Sequence, residues 1–201
     1  MNYESELFTI APRIESVMLK VKILNNHHFL RPRTGWLRRN VSCPEGIYEH
    51  SCKMGLASYY LLGTNEALDI GICHDFPEIY EPDHVPGEIE KGEKKRRELQ
   101  AMQRLEQELP NGEYWFRMWQ KYENREDEGV IIAELDKLCP CVQALKYKRM
   151  NFGTDLDSFL TSAREKIKTL QLLDLLENLE CLNPKIDVYE AYFQRLDQIQ
   201  L

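Results

Sequence analysis

Four residues of this chain have the chemistry to hold a divalent metal ion together: His50, His74, Asp75 and Asp136. Mixed imidazole and carboxylate donors suit a first-row divalent ion, and manganese, cobalt, iron, nickel and magnesium are hard to separate by donor type. Four protein donors around an ion of octahedral preference leave positions for water and a substrate oxygen. Such an ion lowers the pKa of bound water and polarises a phosphoryl oxygen, which is the chemistry of hydrolysis. Each donor is a weak signal alone. A single helical histidine is commonly a hydrogen-bonded structural residue, and a His-Asp dipeptide arises readily by chance in a chain with five histidines. If the four do not converge, the protein is an ordinary helical domain.

The elements that must position them read as helices. Ile10, Ile14, Val17, Met18, Val21 and Leu24 recur at helical spacing, which predicts an amphipathic helix between Ile10 and Phe29. A loop punctuated by Pro32, Gly35 and Pro44 follows. The next helix starts near Glu45 and carries His50, Met54, Ala57, Tyr60 and Leu61. Gly63 breaks it, and Thr64 or Asn65 can cap a third, mostly apolar helix that runs to His74-Asp75 before Pro77 closes it. Pro82 to Gly92 reads as an irregular loop, and 93–109 as a charged surface helix. Residues 114–122 form an aromatic core-packing helix, and 126–149 a long helix. Two further helices are expected near 155–179 and 185–200. No alternating strand pattern and no internal repeat is evident. The expectation is an all-α fold in one domain spanning 1–201.

Asp136 interrupts the apolar run Ile131-Ile132-Ala133-Glu134-Leu135 in a helix that should face the core. A buried carboxylate is costly unless paired, hydrogen-bonded or metal-bound, so a structural ion pair with lysine or arginine is the alternative. The net charge of −7 argues against a broad electrostatic grip on polymeric nucleic acid. Arg31, Arg33, Arg38 and Arg39 nevertheless crowd one short segment before His50. That local patch suits a small anion, or else is a solvated cationic loop. Six cysteines form no CxxC pair, no secretory signal is evident, and no apolar run is long enough to span a bilayer. A cytoplasmic protein with reduced thiols, bound to no membrane, is expected.

The runs RTGWLRRNVSCPEGIYEHS, GICHDFPEIYEPDHVP, EKGEKKRRELQAM and ELDKLCPCVQALKYKRM resemble, in this order, the HD-domain phosphohydrolases. More closely, they resemble the 5′-deoxynucleotidase branch and its HD-domain-containing relatives. The resemblance covers about residues 17–150; about 151–201 read as a C-terminal helical extension. It implies an HD-domain helical bundle with additional C-terminal helices, and one divalent metal ion held by His50, His74, Asp75 and Asp136. It implies a catalytic carboxylate at Glu78, one turn beyond Asp75, acting as general acid or base; a helix-end glutamate facing solvent is the alternative. Asp83 matches a second family acid that assists catalysis and orients the sugar, although Pro82 stands where the family usually has glycine.

Arg39 matches a basic residue near the substrate phosphate, and Arg33 is a second candidate, since guanidinium grips phosphate oxygens in pairs. Trp36 matches an aromatic that packs against base or sugar, or simply within its loop. Lys94, Lys95, Arg96 and Arg97 follow the family's charged helix, one of them a candidate for the phosphate. The expected substrate is a (deoxy)ribonucleoside 5′-monophosphate, cleaved to nucleoside and phosphate. A nucleoside triphosphate or another phosphate ester is the runner-up, and a weakly active regulatory or interaction module a third reading. A homodimer is also implied, with Leu170, Leu172, Leu173, Leu175, Leu176 and Leu179 as interface candidates unless they pack within the chain.

Overall fold

The computed structural model describes residues 30–84, 87–183 and 185–201; the helix expected between Ile10 and Phe29 lies outside them. Among the described residues the fold is all-α, with one isolated bridge between Pro32 and Gly46. The helices are α1 (Thr34–Leu37), α2 (Ile47–Leu62), α3 (Asn65–Cys73), α4 (Lys91–Glu108), α5 (Gly112–Asn124), α6 (Gly129–Arg149), α7 (Asp157–Lys166), α8 (Leu170–Glu180) and α9 (Val188–Leu196), with a 3₁₀ turn at Phe76–Ile79. One continuous apolar core runs from Ile47 on α2 to Leu196 on α9, with α6 contributing Ile132, Leu135, Leu138 and Val142. No helix among the described residues is long and apolar enough to cross a membrane.

The hairpin of α2 and α3 follows from local chemistry. Gly63 takes a left-handed φ of 71° and closes α2, while the Thr64 hydroxyl accepts the Ala67 N–H at 3.0 Å and opens α3. The two helices then meet across Gly55 and Gly71. A Cβ on Gly71 would lie 2.7 Å from the Met54 carbonyl and 2.9 Å from the Gly55 Cα. That close approach brings the start of α2, with His50, beside the end of α3, with His74.

The C-terminal third departs from the sequence reading. The helix expected over 155–179 is two helices, because Ile167 is extended (φ −73°, ψ 133°) and ends α7. No glycine or proline forces the corner. Ile167 buries its side chain in the core, and the Glu134 carboxylate on α6 accepts the Thr169 N–H at 2.9 Å. Burial of a β-branched side chain outweighs the modest helix propensity of three residues. Leu172, Leu175, Leu176 and Leu179 pack within the chain, whereas Leu170 is 71 % exposed.

The glycine contact generates a prediction. Gly71→Ala drives a methyl group against the α2 backbone, and overpacking of this kind costs about 1–3 kcal/mol. Urea unfolding should show a lowered midpoint with little change in slope; an unshifted midpoint would mean the helices separate freely.

Candidate metal centre

Each metal-ligand candidate arrives on a different piece of backbone. His50 lies one turn into α2 and is fully buried. His74 is the C-cap of α3. The helix stops there because the Pro77 ring has no N–H and would meet the carbonyl of Cys73, four residues back. Asp75 follows in the sparsely populated bridge region (φ −98°, ψ 11°), which turns its carboxylate toward the histidines. Asp136 comes from the centre of α6, where Pro140 deprives its carbonyl of the usual helical donor.

The four side chains converge. His50 Nε2 is 3.1 Å from Asp136 Oδ1 and 3.8 Å from Asp75 Oδ2. His74 Nε2 is 3.2 Å from Asp75 Oδ2 and 3.6 Å from Asp136 Oδ1. Donor atoms of His50, His74 and Asp136 all lie within 4.8 Å of one another. The outer atoms are secured: His74 Nδ1–H donates to the Gly71 carbonyl at 2.7 Å, fixing Nε2 as the inward nitrogen. Asp136 Oδ2 accepts from the Tyr122 hydroxyl at 2.9 Å and from Lys137 Nζ at 2.6 Å. The inward His74 Nε2 and Asp75 Oδ2 are buried without a hydrogen-bond partner among the described residues. Unpartnered nitrogen and oxygen donors facing one point are what a divalent cation satisfies, so the residues fit a metal ion.

The electrostatics agree. Burial opposes protonation of His74, yet the charges of Asp75 and Asp136 overcome it and hold its pKa at about 10. Burial and the Arg33 charge push His50 the other way. Burial works to raise both carboxylates, but Asp75 is held down by His74 and Asp136 by Lys137 and the histidines. The pocket therefore concentrates negative charge and claims a proton at the point where a cation would sit.

A cleft of about 520 Å³ opens above the cluster. Glu78 lies in the 3₁₀ turn, its N–H bonded to the Asp75 carbonyl at 3.0 Å, and lines that cleft. Burial, then the charges of Asp75 and Asp83, push its pKa well above the ordinary carboxylate range. Arg33 also lines the cleft; burial opposes its charge, while Asp75, Asp136, Glu45 and Asp83 stabilise it. Asp83 reaches the rim too, and its Oδ2 accepts the Thr34 N–H at 2.6 Å while its carbonyl accepts the Thr34 hydroxyl at 2.7 Å. The loop after the 3₁₀ turn is thereby tied to the start of α1.

Trp36 also lines the cleft, whereas Arg39 is placed differently. Trp36 is 1 % exposed, with its ring 4.2 Å from Phe159 and 5.2 Å from Tyr147, centroid to centroid. Its indole N–H donates to Glu45 at 3.3 Å. Arg39 does not line the cleft: its guanidinium lies over the Phe159 ring and donates to Gly35, Asp155 and Ser158. The structure thus brings His50, His74, Asp75, Asp136, Glu78, Arg33 and Asp83 together, with Trp36 in the cleft wall against Phe159 of α7, and sets Arg39 outside the cleft. Cys139 and Cys141 are buried, and burial pushes both thiols up to about 12. Sequence reading missed Tyr122, Lys137 and Glu45. Tyr122 is hidden among core aromatics, whereas the adjacency of Lys137 to Asp136 was a signal.

Metal and proton compete for His74, so metal uptake should release a proton. Apparent cobalt affinity should rise about tenfold per pH unit below the His74 pKa of about 10. Calorimetric titrations in buffers of different ionisation enthalpy test this, and affinity independent of pH would contradict it.

Comparison with known proteins agrees with this geometry. The HD-domain family model matches residues 30–173. The mouse (Mus musculus) 5′-deoxynucleotidase HDDC2 is 30% identical over 158 residues, covering 74% of this chain and 79% of that protein. The Saccharomyces cerevisiae 5′-deoxynucleotidase YGK1 is 28% identical, covering 83% and 80%. In fold, the PH0347 protein of Pyrococcus horikoshii superposes with a TM-score of 0.59 at 20% identity, covering 92% of this chain and 98% of that one. With the helical bundle, the buried donor cluster and a match across most of its length, this chain belongs to the HD-domain family.

Proposed function

We propose that this protein is a metal-dependent phosphohydrolase that cleaves (deoxy)ribonucleoside 5′-monophosphates to nucleoside and orthophosphate. The observation that carries the reading is the convergence of two imidazoles and two carboxylates beneath a cleft with cationic walls. The names of relatives at about 30% identity support the nucleotide class. A bound divalent ion would supply an activated water and polarise the phosphoryl group.

The chain's own residues supply the rest. His50, His74, Asp75 and Asp136 hold the ion, Tyr122 and Lys137 orienting the last of them. Arg33 meets the phosphate with a fork of N–H donors. Glu78, kept protonated by burial, is placed to give its proton to the ester oxygen as the P–O bond breaks. Asp83 faces the sugar from the rim while its carboxylate keeps hold of Thr34. Trp36 forms part of the cleft wall and, with Arg39 behind it, keeps α1 and α7 in register. A nucleoside triphosphate is the second reading, favoured by the exposed rim lysines Lys91, Lys95 and Lys166. Pyrophosphate or tripolyphosphate as product, in place of orthophosphate, would decide for it.

Phosphate release from a panel of nucleotides with several divalent ions tests the reading. His74→Ala should abolish both metal retention and turnover; activity surviving it overturns the site. Glu78→Gln should lower kcat by about 10²–10⁴-fold with metal retained, and an unchanged kcat would remove Glu78 from the reaction. Because Glu78 works protonated and its pKa is raised, the wild-type kcat should fall as pH rises through that raised value. A rate that instead falls on acidification through it would make Glu78 the base.

A further inference from the structure

The face of α4 that lines the cleft carries Lys91, Lys94, Lys95 and Glu98. Their spacing places them on one stripe of the helix. The arginines that follow are engaged elsewhere: Arg96 and Arg97 bind Glu93 at 2.7 and 2.6 Å. Lys91 and Lys95 are exposed at the rim, whereas Lys94 is half-buried and its ammonium lies 2.9 Å from Glu98 Oε1. Burial works against a charge at Lys94, yet the carboxylates near it, Glu98 first, hold its pKa above the ordinary lysine value. It is therefore a cation at working pH, lining the same cleft as Asp75 and Asp136.

Charge matching gives this lysine a task. A divalent ion together with Lys137 offsets no more than the charges of Asp75, Asp136 and Asp83. The two negative charges of a phosphate monoester dianion then call for two further cations, or the substrate is buried uncompensated. Arg33 is one. Of the other cations in the cleft, Lys137 is held by Asp136 at 2.6 Å, and Arg125 donates to the Tyr122 carbonyl and lies over its ring. Lys166 is exposed and donates to the Ser162 hydroxyl at 2.9 Å. Lys94 alone among these is half-buried and paired to a carboxylate outside the metal cluster, one it can leave at little cost, since such partly exposed pairs contribute about 0–1 kcal/mol.

We propose that Lys94 is a phosphate-binding residue, which moves from Glu98 to the phosphoryl oxygens when substrate enters and completes with Arg33 a two-cation clamp. Glu98 is its positioning residue, keeping the ammonium in the cleft while the site is open. The proposal rests on the phosphohydrolase reading above and adds the second anion contact to it.

The test is the affinity of inorganic phosphate for the cobalt-loaded protein, by calorimetry, with cobalt content measured alongside. Lys94→Met should weaken phosphate binding about tenfold, the loss of one charge-assisted hydrogen bond, with cobalt content unchanged. Lys94→Arg should recover most of it, and Arg96→Met, on the same helix but outside the cleft, should bind like wild type. Unchanged phosphate affinity in Lys94→Met, or an equal loss in Arg96→Met, overturns the assignment. Because phosphate reports without turnover, a protein that binds it through Lys94 yet hydrolyses no nucleotide would refute the nucleotidase reading and leave the Lys94 assignment standing. A wild-type protein that binds no phosphate with cobalt in place would overturn both.

Discussion

A carboxylate buried in the middle of a core helix costs several kcal/mol unless its charge is met, and Asp136 occupies such a position on α6. Its two oxygens are met from four directions. Oδ1 faces His50 from α2 and His74 from the end of α3, while Oδ2 takes Tyr122 from α5 and Lys137 from its own helix. Satisfying this one side chain therefore requires four helices to stand in a particular relation. Removing any one partner leaves charge or hydrogen-bonding capacity stranded in the core. The same demand leaves the inward atoms of His74 and Asp75 free to face a cation.

The backbone devices around the cluster serve that arrangement. Gly55 and Gly71 let α2 and α3 approach closely enough for two imidazoles to share a carboxylate. Pro77 ends α3 one residue past its last turn, so that Asp75 leaves the helical path and Glu78 enters a 3₁₀ turn rather than a further turn of α-helix. Residues three apart eclipse one another in that turn, which sets Glu78 over Asp75 at the floor of the cleft.

The substrate side is held by a second buried charge. Glu45 uses all its polar groups: its carbonyl accepts the Arg33 N–H, its N–H donates to Tyr147, and its carboxylate takes Trp36 and Lys53. Trp36, Phe159 and Arg39 then stack the short helix α1 against α7, so part of the C-terminal extension becomes a wall of the site. Arg39 and Trp36 were legible as residues belonging to the site's neighbourhood. Their orientation was not, because it depends on Asp155, Ser158 and Phe159, which are more than one hundred residues away.

By itself the sequence determined the helices from α2 to α6, through apolar spacing, Gly63-Thr64 and Pro77, and it singled out the four donors by residue type. These are local properties: a periodic apolar face, a left-handed glycine and a missing N–H act wherever they stand in a chain. Tertiary structure decided the rest. It broke the helix expected over 155–179 at Ile167, where core burial and the Glu134 acceptor outweigh local propensity. It put Arg33 rather than Arg39 in the cleft wall, and Lys94 and Lys95 rather than Arg96 and Arg97 from a run of four basic residues. Where a long charged side chain points is set by the carboxylates that other helices bring within reach, and that information lies in the packing rather than in the neighbouring sequence.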